Sequence, residues 1–304
     1  MPMVIKPFKK CCLCGKRFNR SVWAKYCFGC AYFCRRMNYE RIPSKDQKRI
    51  KAYIRKHGFV CEHTGVDLVL DNPKSPWYVV FDHYYPHSNK KIVLACSIFN
   101  QMKKGLVVEE FWNLVGQLAS HHKNGTPVEK IELKYWDRVR PRPKHIQPSM
   151  EMVEREMLSR VENVTRKCSG CGQPVRSKYA RYCRECARLH YRMRLLRFSH
   201  KVREEIFAYI RKYGKKCYYT SVDLDMDNPN SPWYAVFDHW IPCDSRKIVL
   251  TCDLINEIKC DLTEGEFWYF IEQLDRYKRL GIKIKKRRMS HWTRLTPPVY
   301  EKAS

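Results

Sequence analysis

The chain has 304 residues, with 59 Lys and Arg against 31 Asp and Glu, giving a formal net charge of +28. Its 44% hydrophobic and 13% aromatic residues are enough for packed domains and exclude wholesale disorder. No run of eighteen or more apolar residues occurs, so no transmembrane helix is expected, and the charge surplus points to a polyanionic partner, most often nucleic acid.

The elements come in two copies. The segment from Cys61 to Lys103 matches that from Cys217 to Lys259 at an offset of 156 residues, with roughly half the positions identical in its central part. Such a period is too long for a solenoid and reads as one unit used twice, a covalent pseudo-dimer. The expected organisation is a first unit over 1–136, a linker over 137–165 and a second unit with a basic tail over 166–304. The linker begins with the Pro- and Arg-rich DRVRPRPKHIQPS, an extended composition. Ser149 then stands where it would cap a short helix.

In chain order, each unit opens with a basic, Cys-rich segment at about 8–36 or 166–190. A helix follows, with Ser44 or Ser199 as N-cap and Gly58 or Gly214 at its end. GVDLVL or SVDLDM predicts a short strand, and DNPKSP or DNPNSP a turn. WYVVFDH or WYAVFDH predicts a second strand, and KIVLAC or KIVLTC its β-branched return. A helix carrying SIFNQMKK or DLINEIK comes next and continues, after a break, through EFWNLV or EFWYFI. The expected fold class is α+β: two tandem units, each a four-cysteine zinc-binding module plus helix followed by a ββα core.

Cys11 and Cys14 are followed, after twelve intervening residues, by Cys27 and Cys30; Cys168 and Cys171 are followed, after eleven, by Cys183 and Cys186. Two intervening residues let one turn present two thiolates to one ion, and two such turns build the tetrahedral sulfur cage that Zn2+ accepts. Four sulfur ligands leave no open position, so both zinc sites are expected to be structural. Disulfides are the competing reading. The start of the chain, MPMVIKPFKKCC, has no apolar core of a secretory signal, which favours metal and a location in the cytoplasm or wherever the nucleic acid resides. Cys61, Cys96, Cys217 and Cys252 recur too, but their partner positions hold Thr64, Phe99, Thr220 and Ile255, so small buried residues are expected there.

Asp82-His83 and Asp238-His239 each end a predicted strand, with Pro86 or Pro242 three residues on. Asn100 or Asn256 comes eighteen residues after the Asp, followed by Lys103 or Lys259 in Asn-x2-Lys. Neighbouring side chains on a strand face opposite ways, but at a strand end the chain can turn both toward one cleft, across which the hairpin return brings the helix. Asp and Asn oxygens are hard ligands suited to Mg2+ or Mn2+, and a histidine is a natural general base. The bland alternative is that Asp and His hydrogen-bond across a turn.

Over about 45 residues of each unit, this pattern of Asp-His, Pro, a β-return ending in Cys and then Asn-x2-Lys resembles the HNH (ββα-metal) endonucleases, including zinc-bearing restriction and homing enzymes. The resemblance implies His83 and His239 as the bases that activate water. It implies Asp82 with Asn100, and Asp238 with Asn256, as ligands of a catalytic Mg2+ or Mn2+, and Lys103 and Lys259 as residues that steady the phosphate. The implied partner is double-stranded DNA, with RNA open and no membrane, and the chain would act as a monomeric pseudo-dimer. The chain departs from the pattern in its degenerate second set of Cys pairs and its short hairpin loop, where Asn89 faces Ser245 in place of a shared Asn. A non-catalytic DNA- or RNA-binding protein on the same fold is the alternative, and a zinc-bearing partner in a larger nucleoprotein assembly a third reading. Trp77-Tyr78 and Trp233-Tyr234 are read as core, and KIKKRRMSHWTRL from Lys283 as either a phosphate-tracking strip or a solvated charged face.

Overall fold

Cys11 opens a tight turn in which its amide donates to Lys16 O (2.9 Å) and the Gly15 amide donates back to Cys11 O (2.9 Å). The turn closes with Gly15 at φ 72°, a left-handed conformation that costs glycine little for want of a Cβ. Two-residue antiparallel strands flank it, β1 (Lys9–Lys10) and β2 (Arg17–Phe18). Cys27 is the N-cap of α1 (Phe28–Tyr39), whose inner face carries Cys30, Phe33 and Met37, all buried. One Cys pair therefore sits on a knuckle and the other on a helix start. The computed structural model describes residues 8–19, 23–86, 88, 90–136, 166–175 and 180–292; the expected linker at 137–165 and its helix lie outside these, as do Asn89 and the last residues of the basic tail.

α2 (Ser44–His57) starts one residue earlier than expected, with Pro43 at the cap and Ser44 as the first helical residue, and it ends at Gly58 (φ 80°). The segment GVDLVL does not form the expected strand. Among the described residues it makes only isolated bridges, Val60 with Asp67 and Val69 with Tyr78. β3 (Val79–His83) and β4 (Ile92–Cys96) pair antiparallel in the register Val79–Cys96 to His83–Ile92. All five residues of β4 are buried. α2 packs on β4, and α3 (Ser97–Lys103) on both strands of the hairpin. Each large side chain so buried contributes about 1.5–3 kcal/mol. The helix then breaks at Lys104 (φ 40°), and α4 (Val108–Asn124) begins after Glu110 Oε2 accepts the Val107 amide at 3.0 Å.

The second repeat forms the same series: β5 (Arg166–Lys167), β6 (Pro174–Val175), α5 (Arg184–Leu195), α6 (His200–Tyr213), β7 (Ala235–His239), β8 (Ile248–Cys252), α7 (Asp253–Lys259) and α8 (Glu264–Leu280). Ser199 is the expected N-cap of α6, its hydroxyl accepting the Val202 amide at 3.3 Å. SVDLDM, like its counterpart, makes only single bridges among the described residues. α8 opens with a reciprocal capping box between Thr263 and Glu266, which ties off two amides at once. The fold is thus α+β, with two repeats of four-cysteine cluster, helices and ββα core. Among the described residues, no helix is long and apolar enough to cross a membrane.

By compactness the chain forms two units, Met1–Gly116 with Cys260–Ser304, and Gln117–Lys259. The first compact unit therefore includes α8, which the sequence places in the second repeat. Within that unit Phe270 of α8 lies against the buried Trp77, ring centroids 5.9 Å apart. Trp77, Tyr78 and Trp233 are buried, as core residues should be.

Candidate functional site

The four sulfurs of Cys11, Cys14, Cys27 and Cys30 lie within 4.8 Å of one another, and so do those of Cys168, Cys171, Cys183 and Cys186. Cys14 and Cys27 Sγ are 3.7 Å apart, as are Cys171 and Cys183 Sγ. A tetrahedral zinc with Zn–S bonds of about 2.3 Å puts its sulfurs about 3.8 Å from each other, so both clusters have the dimensions of the ion they are expected to hold. Cys12 is exposed and stands outside the first cluster, which settles the register on Cys11. Burial works against ionising Cys11, but amides of Cys14, Cys27 and Leu13 aimed at its sulfur outweigh this and lower its pKa to about 6. Cys168 is likewise brought to about 7. Burial and the neighbouring thiols push Cys30 and Cys186 strongly up. Cys11 and Cys168 are thus predisposed to ionise, while Cys30 and Cys186 need a cation beside them to do so.

An arginine fixes each zinc module to its hairpin. Arg36 Nη1 donates to Tyr78 OH (2.9 Å) and Val79 O (3.1 Å), with its guanidinium over the rings of Tyr78 and Phe81. Arg192 repeats this on Ala235 O (2.8 Å), Tyr234 and Phe237.

The ββα core contains a second knuckle of the same build. Cys61 N donates to Val66 O (2.8 Å) and Gly65 N to Cys61 O (3.0 Å); Cys217 N donates to Val222 O (2.8 Å) and Ser221 N to Cys217 O (2.9 Å). Cys96 is the N-cap of α3, the place Cys27 holds on α1. The position three residues on holds Cys30 in α1 but Phe99 in α3, and the knuckle holds Thr64 where Cys14 would stand. Cys61 and Cys96 are fully buried beside each other. Burial opposes charge on both, and the Cys96 thiol supports Cys61 as the more acidic partner. These are the small buried residues expected from the sequence.

β3 keeps its pairing through His83, so Asp82 and His83 leave the strand on opposite faces and the expected turn toward one cleft does not occur. Asp82 is 2% exposed. Its Oδ1 lies 3.1 Å from Lys103 Nζ, and its Oδ2 accepts from His63 Nε2 at 2.9 Å. His63, itself buried, is stacked on Phe99. In the second repeat Asp238 accepts from Tyr219 OH (2.6 Å) and pairs with Lys259 Nζ (3.0 Å). His63 and Tyr219 occupy equivalent positions, a signal the sequence carried but that names no chemistry without the fold.

Lys103 and Lys259 were expected to steady a phosphate, and the geometry corrects this. Lys103 is 1% exposed, and its three N–H groups are directed at Asp82 Oδ1, His83 O (3.1 Å) and Leu106 O (3.2 Å). An ammonium has three donors, so none remains for a substrate. Lys259 is equally buried and holds Asp238 and His239 O (3.1 Å). Asn100 and Asn256 are half-buried on the turn before each lysine. The donor chemistry of Asp82 and Asn100 is that of a hard divalent ion, yet both carboxylate oxygens are engaged and a buried cation already neutralises them. As arranged, the set does not fit Mg2+ or Mn2+.

His83 is half-buried, and its Nδ1 lies 3.0 Å from Ser88 O. A carbonyl only accepts, so Nδ1 is the donor, and in the neutral ring the lone pair would lie on Nε2. His239 is exposed and makes no comparable hydrogen bond among the described residues. Lys283, Lys285, Lys286, Arg287 and Arg288 of the tail are exposed, while Ile284 and Met289 between and after them are buried. Comparison with known proteins returns no matching family model, no matching curated protein and no matching solved structure.

Proposed function

We propose that the chain is a nucleic-acid endonuclease of the HNH type, hydrolysing DNA phosphodiester bonds with His83 as general base. The carrying observation is the His83 Nδ1 hydrogen bond to Ser88 O at 3.0 Å, which makes Nδ1 the donor and orients the ring. Nε2 would take a proton from water as the hydroxide forms its bond to phosphorus and the P–O bond to the leaving oxygen breaks. Steering by the net charge of +28 supports a polyanionic substrate. The zinc clusters serve structure: they set the knuckle and the start of α1, and Arg36 passes that position to the hairpin. His239 lacks the orienting bond, so the second repeat is the weaker centre. Binding of Mg2+ or Mn2+ at Asp82 with Asn100, or at Asp238 with Asn256, would require the ion to replace a lysine ammonium.

That same Asp82–Lys103 pair favours a second reading, a DNA- or RNA-binding protein whose ββα core no longer cuts. Supercoiled plasmid incubated with Mg2+, Mn2+ or EDTA separates the two. General-base catalysis is worth about 10²–10⁴-fold, so His83→Ala should slow cleavage by at least a hundredfold and His239→Ala by less. Undiminished cutting by the double variant would remove both histidines from the mechanism. Salt-sensitive binding with no cutting under any ion would establish the second reading.

A further inference from the structure

The tail after α8 carries five cations in six positions, Lys283, Lys285, Lys286, Arg287 and Arg288, and no Asp or Glu stands between Gly281 and Trp292. Like charges this close repel, and a free tail would spread them through solvent. Here the backbone beneath them is held. Gly281 turns the chain off α8 in a left-handed conformation, φ 66°. Ile284, Met289 and Trp292 are buried, and the Ser290 amide donates to Glu266 Oε1 at 2.6 Å. Arg287 lies over the Tyr269 ring, 5.2 Å from its centroid. Lys283, Lys285, Lys286 and Arg288 stand exposed along this anchored segment. The carboxylate of Glu266 is engaged by amides, those of Thr263 and Ser290. The first repeat shows that the scaffold does not ask for this charge. Its chain leaves α4 at Gly125 (φ 70°) and buries Val128, the counterpart of Ile284. Yet exposed Glu129 and Glu132 stand where the tail has Lys285 and Arg288. From Thr126 to Lys134 two Glu balance two Lys, whereas Ile282 to Ser290 carries the five cations alone. The tail also belongs to the compact unit that contains β3, and so His83. A fixed row of cations complements a regular row of anions, the phosphates of a nucleic-acid backbone.

We infer that Lys283, Lys285, Lys286 and Arg288 form a fixed phosphate-binding strip, which holds the backbone of a nucleic-acid duplex on the compact unit that carries His83. The inference rests on the nucleic-acid reading above and adds where the substrate is held. The six residues from Lys283 to Arg288 span at most about 20 Å, room for about five phosphates at about 3.4 Å of rise each. Contacts to phosphate fix position and register without reading sequence.

The test compares two variants of equal net charge. Lys283→Gln/Lys285→Gln/Lys286→Gln/Arg288→Gln empties the strip at exposed positions, with zinc content as a check on folding. Lys45→Gln/Lys48→Gln/Lys56→Gln/Lys201→Gln removes as many charges from exposed lysines of α2 and α6. The probes are fluorescein-labelled DNA and RNA duplexes of one sequence, followed by anisotropy as salt rises. Each phosphate neutralised contributes about 0.9 to the slope of log affinity against log salt, so the strip variant should flatten that slope by about 3 and bind at least tenfold more weakly. The helix variant should keep most of both. The duplex that loses more affinity identifies the backbone held. Equal losses in the two variants would overturn the strip, because net charge alone would then account for binding. So would a strip variant that binds like wild type. If binding falls as expected but wild-type protein never cuts plasmid, the strip stands and the endonuclease reading fails. If wild type cuts and the strip variant binds and cuts equally well, the strip fails and the endonuclease reading stands.

Discussion

Lys103 Nζ lies 3.1 Å from Asp82 Oδ1 in a pocket that leaves both side chains at most 3% exposed. The residue that sequence pattern offers as a phosphate contact is the internal counter-ion of the residue offered as a metal ligand. Lys259 and Asp238 form the same pair, at 3.0 Å, in the second repeat. Each pair ties the end of the post-hairpin helix to the strand that carries the histidine.

Removing one partner of a buried ion pair strands the other charge, at a cost of about 3–5 kcal/mol, whereas replacing both by apolar residues is often close to neutral. Lys103→Met should therefore lower urea stability by that amount, and Asp82→Leu/Lys103→Met should recover most of it. A single variant as stable as wild type would mean that the pair is open to water in solution.

What the sequence made legible was local. Cys-x2-Cys is set by a single turn, the Ser199 cap by four residues and the β-branched KIVLAC by its own pattern, and all three folded as read. The role of Lys103 was not legible because burial is decided by the hairpin opposite it, and a lysine in a chain of net charge +28 reads as solvent-facing by default. His63 escaped notice for the same reason: only tertiary packing puts its ring between Phe99 and Asp82. GVDLVL has strand composition but finds only single-bridge partners among the described residues, and composition does not decide pairing. The place of α8 in the first compact unit is a long-range matter that no window of sequence contains.

Metal content and its pH dependence follow from the two clusters. The protein should carry two zinc ions per chain, and Cys30→Ser should reduce this to one. Burial opposes the Cys11 thiolate, but amide hydrogen bonds outweigh it and lower the folded-state pKa from the usual 9.0 to about 6. A lowered acid pKa favours the thiolate above the folded value. Uptake of zinc by apo-protein should be rapid above about pH 7 and slow progressively below about pH 6 as Cys11 takes up a proton. Stopped-flow with a zinc-release dye reads this directly, and uptake independent of pH from about 5 to 8 would count against the primed thiolate.

The knuckle at Cys61 reproduces the hydrogen bonds of the zinc knuckle at Cys11, and Cys96 caps α3 as Cys27 caps α1. Only Thr64 and Phe99 separate this place from a four-cysteine cluster. The variant Thr64→Cys/Phe99→Cys should bind one additional zinc, three per chain in place of two, measured by native mass spectrometry. Losing Phe99 removes the ring stacked on His63, so some loss of stability should accompany the gain until zinc is added. A stoichiometry that stays at two would show that the two turns share hydrogen bonds but not sulfur geometry.

Gly65 closes this knuckle at φ 66°, and a Cβ built there would lie 2.9 Å from Cε2 of Tyr277 on α8. Two costs therefore attach to Gly65→Ala: a left-handed backbone, about 1–2 kcal/mol, and the collision with the tyrosine. The second repeat separates them, because Ser221 holds the same turn at φ 56° with a side chain in place. The backbone cost is tolerable, so crowding by Tyr277 is what reserves the first position for glycine. Gly65→Ala should destabilise the protein by more than the backbone cost in the wild-type chain, and by the backbone cost alone in a Tyr277→Ala background. Ser221→Gly, which relieves strain and meets no such neighbour, should be neutral or mildly stabilising. Urea titration of the single and double variants beside wild type measures all three differences. An equal cost for Gly65→Ala in both backgrounds would remove the packing of α8 on the knuckle as the reason for the glycine.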